Sequence, residues 1–168
     1  GLVVATGALT PLLARQIGYR LPIQPGKGYS ITMPRPDPCP SIPLLFVQHK
    51  VAVTPMISGY RLGSMMELNG YDTRIKPRRL QLLRRAAEEY LPEPYCDPVE
   101  EEWYGWRPMT SDGVPFIDRL PGLENAWVAA GHNMLGLSMA PATGTLVAEL
   151  VDGVKPSIDP APYRIVRG

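Results

Sequence analysis

The sequence predicts an α+β fold, an antiparallel or mixed β-sheet with flanking helices. Three observations predict it. Strand-like segments follow one another between residues 28 and 68, a long amphipathic helix stands apart from them at 77–91, and a short apolar strand ending at residue 130 runs through a glycine-bounded loop toward a final helix. At 168 residues the chain can bury a sizeable core.

Taken in order, Leu2–Ala5 has a buried-strand pattern and Thr6-Gly7-Ala8 a small-residue turn. Thr10-Pro11 offers an N-cap followed by proline at the first helical position, for a short helix to about Ile17 with Gly18 at its C′ position. Gly28–Met33 alternates and is rich in strand-preferring residues. Leu44–His49, Lys50–Thr54 and Tyr60–Leu68 read as three strands of an antiparallel meander with one face buried. Asn69–Asp72 is a turn, and Pro77–Leu91 is the clearest helix, with Leu80, Leu83, Ala87 and Tyr90 on one stripe. Pro92 and Pro94 stop it. Glu100–Trp106 is a strand, Asp112-Gly113 a turn, Ala126–Ala130 an apolar strand, and Ala142–Val151 the last helix, closed by Gly153 and Pro156.

Composition excludes several classes. The net charge is +1 and the basic residues reach only the pairs Arg78-Arg79 and Arg84-Arg85, so no stripe for a phosphate backbone exists and nucleic acid is set aside. No run approaches the roughly 18 apolar residues of a membrane span, and no charged-then-apolar leader opens the chain, which reads as soluble and unexported. Cys39 and Cys96 lack CxxC spacing, and with His49 and His132 they show no metal-ligand pattern; free thiols in a reducing compartment are the expectation. The 20 prolines, about 12% against a usual ~5%, punctuate apolar runs rather than forming a disordered tract. A strand pattern starting at Gly1 with no initiator Met is expected of a segment cut from something longer.

The strongest chemistry lies in two stretches, Trp106–Pro115 (WRPMTSDGVP) and Gly131–Gly144 (GHNMLGLSMAPATG). The second is a strand that breaks into a glycine-bounded loop and then a helix opening with small residues. Backbone N–H groups at such a helix start suit an anion, or a planar ring that becomes negatively charged, brought close where side-chain bulk is absent. Gly26-Lys27-Gly28 lacks the GxxxxGK[ST] spacing of a P-loop, and Glu100-Glu101-Glu102 is a solvated strand start, since three neighbours on a strand cannot share one face.

These two stretches resemble the C-terminal flavin-binding part of the D-amino-acid oxidase superfamily of FAD enzymes. Tyr19–Pro22, Pro25–Ser30, His49–Thr54 and Arg61–Glu67 narrow the resemblance to the bacterial D-amino-acid dehydrogenase small subunit. It covers nearly the whole chain but only the later part of that family's polypeptide, and no GxGxxG fingerprint is present here. The resemblance implies an end-piece of an FAD domain at 1–20, a substrate-binding domain at 21–106 and a return to the FAD domain at 107–168. It implies FAD as cofactor in the full-length protein, absent from this chain, and a missing N-terminal FAD-binding half as partner. The implied reaction moves a hydride from the α-carbon of a D-amino acid to flavin N5, with an electron acceptor downstream and a location in the cytoplasm or peripheral on the inner membrane. The isolated chain is expected to be inactive. A secondary-amine substrate (glycine, sarcosine or proline) and a non-catalytic binding module are the competing readings.

For the site, the resemblance implies that Arg107 grips the substrate carboxylate through two parallel hydrogen bonds, each charged bond contributing about 1.5–3 kcal/mol. A structural pairing of Arg107 with Asp112 or Glu102 is the alternative. Thr6, Gly7, Gly131, His132, Asn133, Met134, Leu135, Gly136 and Leu137 are implied to lie along the flavin, with backbone amides from Met134 to Leu137 facing the charge that develops on it. His132 is a hydrogen-bonding support rather than a base. His49, Lys50 and Tyr60 are further substrate-binding candidates, weaker because a surface strand accounts for the first two and core packing for Tyr60. No residue is assigned as a catalytic acid, base or metal ligand.

Overall fold

The computed structural model describes residues 1–167 and resolves into two compact units, one formed by Gly1–Pro25 with the segment from Arg107 onward, the other by Gly26–Trp106. The fold is α+β, with three α-helices and two sheets among the described residues.

In the first unit, strands β1 (Leu2–Val4), β7 (Phe116–Arg119) and β8 (Ala126–Ala130) form a sheet of order β1-β8-β7. β1 runs parallel to β8, with Leu2 opposite Ala126 and Val4 opposite Val128, while β7 is antiparallel to β8. Helix α1 (Thr10–Gln16) follows a 3-10 turn at Gly7–Leu9, and helix α3 (Gly136–Asp152) packs on β7 and β8. Val4, Ala14, Leu21, Ile23, Phe116, Leu120 and Val128 make the core.

The second unit is a five-stranded sheet of order β3-β4-β5-β2-β6, built from β2 (Gln24–Met33), β3 (Leu44–Phe46), β4 (Val51–Pro55), β5 (Tyr60–Glu67) and β6 (Glu101–Met109). β3, β4 and β5 form the expected antiparallel meander, and β5 continues antiparallel onto β2. Helix α2 (Pro77–Glu88) covers one face with Leu80, Leu83, Ala86 and Ala87, which meet Tyr29, Ile31, Val53, Tyr60 and Leu62 of the sheet. The alternate burial along β4 and β5 is the period-2 signature of a sheet with one packed face.

Several local expectations are corrected. Thr10 is the first residue of α1 and Leu9 its cap, because the 3-10 turn feeds straight into the helix. Residues 47–50 form the turn of the β3–β4 hairpin, so His49 and Lys50 lie on no strand; Lys50 takes a left-handed φ of 57° there. Tyr90 lies past the end of α2, where its ring stacks on Phe46 at 4.4 Å. Strand β7 went unseen because Phe116-Ile117 is too short an apolar pair to show a period, and only pairing with β8 makes it a strand. Helix α3 begins at Gly136, six residues before the expected start, and runs through Pro141. A proline at that place removes one bond, to the carbonyl four residues back, and leaves the rest of the helix intact.

Candidate functional site

The first unit brings its glycine-bearing turns together. Because β1 and β8 are parallel neighbours in register, Thr6-Gly7 and Gly131–Leu135 leave the sheet at the same, carboxyl, end. That end of a parallel strand pair is where open α/β sheets take their ligands. Thr6 Oγ1 lies 3.1 Å from Thr10 Oγ1, and the Thr6 carbonyl accepts the Leu9 N–H, so the turn is braced by its own helix.

Gly131 has a φ of 91°, and a Cβ placed on it would stand 2.7 Å from Thr110 Cγ2. Glycine is required here on both counts. Two residues on, Asn133 takes a left-handed φ of 54°. Its N–H donates to the Pro108 carbonyl at 3.0 Å, its Oδ1 accepts the Thr110 N–H at 3.0 Å, and its Nδ2 donates to Thr110 Oγ1 at 3.1 Å and to the Gly131 carbonyl at 3.0 Å. The loop is thereby bonded to the strand end that carries Arg107, one residue before Pro108.

Arg107 itself is half-buried, and burial pulls its guanidinium down from the usual value, a direction that still leaves it charged at neutral pH. Asp112 is held by Arg167. Arg167 donates to both of its oxygens, at 2.7 and 3.0 Å, to the Val114 and Pro115 carbonyls, and lies over the Phe116 ring. The hydrogen bond from Arg167, with a second from the Val114 N–H, holds the Asp112 carboxyl far below the usual carboxylate range. Asp112 is thus the partner of Arg167, a pairing that no spacing in the sequence announces.

His132 Nε2 stands 2.9 Å from Thr143 Oγ1 on α3, and burial lowers the imidazole pKa, favouring the neutral ring. It ties the loop to the helix. α3 opens without a side-chain cap and without an acid in its first turn, so its positive end is not neutralised by its own residues. Of the amides from Met134 to Leu137, that of Leu135 is already donated to the His132 carbonyl, which removes it from the set expected to face a ligand. Met134, Leu135 and Leu137 present exposed apolar side chains beside that helix start. A loop that cannot accept a Cβ at Gly131, an uncapped helix start and flanking apolar side chains fit one edge of a flat, anion-forming ring.

The three substrate-binding candidates of the second unit are not gathered. His49 Nε2 pairs with Glu89 at 2.9 Å and its ring meets Tyr90 edge-on. Lys50 turns its carbonyl to the Ser64 hydroxyl at 2.5 Å. Tyr60 is 0% exposed in the core, and burial pushes its hydroxyl pKa up to about 12. His49 and Lys50 are thus engaged in turn and surface contacts, whereas the buried Tyr60 hydroxyl has no hydrogen-bond partner among the described residues. A polar cluster that the sequence did not reveal surrounds Glu67, which accepts from Lys76 at 2.7 Å, Tyr29 at 2.6 Å and Arg79 at 3.3 Å. Beside it the fully buried Lys27 donates to the Arg74 carbonyl between the rings of Tyr29 and Tyr104. Among the described residues no group of three or more His, Cys, Asp or Glu could hold a metal, and no helix is long and apolar enough to cross a membrane.

Comparison with known proteins decides the family, since residues 1–150 match the FAD dependent oxidoreductases. The chain belongs to that family. Among its relatives, the D-amino acid dehydrogenases of Granulibacter bethesdensis and Rhizorhabdus wittichii are 38% and 37% identical over 167 residues. Those matches cover 98% of this chain and 40% of each relative, so the chain spans well under half their length. Among solved structures, glycine oxidase from Geobacillus kaustophilus superposes with a TM-score of 0.88 at 28% identity, over 99% of this chain and 45% of that one. L-proline dehydrogenase from P. horikoshii shares the fold, with a TM-score of 0.81 at 24% identity over 97% and 45%.

Proposed function

We propose that this FAD-family chain acts as the substrate domain and return segment of an enzyme that oxidatively deaminates D-amino acids. The observation that carries the reading is the direct bonding of the Pro108–Thr110 strand end to the Gly131–Asn133 loop, which holds the Arg107 backbone beside the segment suited to a flavin edge. FAD, when bound, would supply the acceptor for the hydride of the substrate Cα–H bond, leaving an imino acid that water would hydrolyse to a 2-oxo acid and ammonia. Arg107 orients the substrate by its carboxylate, for which a planar, permanently charged fork is the fitting group. Gly131 lets the loop approach closely, and the N–H groups of Gly136 and Leu137 at the α3 start face developing negative charge.

The remaining cofactor-binding surface is proposed to come from a companion segment. Leu2 and Val3 on edge strand β1, Leu9 and Leu12 near α1, and Leu137, Val151 and Val154 near α3 are exposed, and of the 17 residues of α3 only Leu146 is fully buried. The chain has no GxGxxG turn to cradle the pyrophosphate. Purified alone, it should show no stoichiometric flavin absorption band; a yellow preparation overturns that half of the proposal. In the flavin-loaded full-length enzyme, Arg107→Ala should raise the KM for a D-amino acid at least tenfold with flavin content unchanged. Equal loss of flavin and substrate affinity would make Arg107 structural instead.

The fit to glycine oxidase favours one second reading, a secondary-amine or glycine substrate. Steady-state turnover on D-alanine against glycine, sarcosine and proline separates the two.

A further inference from the structure

We infer that Asn133 is not a cofactor ligand but the positioning residue that sets where Arg107 stands relative to the Gly131 loop. This rests on the proposed role of Arg107. The chemical inventory of an asparagine decides the first half. It has three N–H bonds, one on the backbone and two on the side chain, and here the protein uses all three: Pro108 O, Thr110 Oγ1 and Gly131 O. The side-chain orientation is fixed by the Thr110 N–H, which can only donate and therefore faces Oδ1. No donor remains for a ring carbonyl or a phosphate.

The geometry decides the second half. Four bonds within about 3 Å join one residue to Pro108, Thr110 and Gly131, and Thr110 also closes the space where a Gly131 side chain would go. Pro108 has no N–H of its own, and its carbonyl, with the Thr110 N–H and Oγ1, bonds this strand end to Asn133. The left-handed φ of Asn133 aims its side chain back at Gly131 and Thr110, and asparagine is among the few side-chain-bearing residues that accept that conformation readily. The staple therefore spans the two stretches singled out in the sequence and leaves Arg107 at the edge of the stapled segment.

Glycine is the informative replacement, because it tolerates φ +54° and keeps the backbone bond to Pro108 while deleting only the side-chain staple. In the flavin-loaded full-length enzyme, Asn133→Gly should lower kcat/KM for a D-amino acid roughly 30-fold, mostly through KM, at an unchanged flavin-to-protein ratio and flavin spectrum. Thr110→Val should act in the same direction, and the double variant should be no worse than the more damaged single one, since both delete the same unit. Flavin loss with normal kcat/KM in the loaded fraction would make Asn133 a cofactor ligand and overturn the inference. A lower thermal midpoint with normal kinetics would make it merely structural and overturn it equally. Arg107→Ala run alongside separates the two levels: if it leaves KM unchanged, the proposed function fails, whereas a raised KM there with normal Asn133→Gly kinetics sinks only the staple.

Discussion

The two units differ in how their long helices are seated: four of the 12 residues of α2 are buried, against one of the 17 of α3. In the unit of residues 26–106, α2 lies on the sheet with Leu83 and Ala87 at 0% exposure, and Glu67 is held by three donors. In the other, only Leu146 of α3 is fully buried, and Leu137 is 93% exposed. Apolar surface is left in water only at a cost of about 25 cal/mol per Å², and that cost along α3 supports the companion segment proposed above. The contrast teaches that α2 is seated within its own unit, while α3 leaves most of its length uncovered by the unit that carries it.

The comparison can be broken most forcefully at the well-seated helix. Leu83→Ala should destabilise it by about 2–5 kcal/mol through the cavity left under the sheet, read as a drop in the urea midpoint at constant slope. Gly131→Ala in the other unit should cost about 2–3 kcal/mol, from a side chain forced to positive φ and from contact with Thr110, whereas Gly63→Ala should cost no more than ~1 kcal/mol because a Cβ there meets only ordinary contacts.

A pH series sharpens the contrast next. The hydrogen bond from Lys76, then that from Tyr29, hold the Glu67 carboxyl at about 2 against an ordinary value near 4.5. The folded value is the lower one, so the stabilisation is complete above pH 4.5 and disappears as pH falls toward 2. Glu67→Gln should lower the thermal midpoint at neutral pH and flatten its fall across that acid window. Tyr29, raised to about 12 by burial and then by its bond to Glu67, contributes nothing to that limb. The smallest effect is expected at Leu137→Ala, below ~0.5 kcal/mol in this chain because the side chain is already in water. In the full-length protein the same change should cost more than 1 kcal/mol if a companion segment covers α3; equal small effects in both would remove the covering layer from the proposal.

Legibility in the sequence followed locality. β8 and the buried stripe of α2 could be read because their periods lie within a few neighbouring residues, and Gly18 at the α1 terminus because a left-handed C′ position has a local chemistry. β7 and the 47–50 turn could not, since each depends on a partner strand. At the candidate site, the loop between Gly131 and Gly136 was visible as a glycine-bounded break, but the bonds from Asn133 to Thr110 and from Arg167 to Asp112 cross 23 and 55 positions and leave no pattern along the chain. The helix start at Gly136 was hidden by Pro141, a reminder that a proline early in a helix reads as a boundary when it is only a missing bond.

The parallel pairing of β1 with β8 has a kinetic corollary. Leu2 cannot find Ala126 until the intervening polypeptide has been made and compacted, and each doubling of such an intervening stretch adds only about 0.6 kcal/mol to closure. The continuous 26–106 segment, whose β3, β4 and β5 are joined by hairpins, is therefore expected to gain amide protection first on refolding, drawing the two ends of its host together as it shortens the path between them.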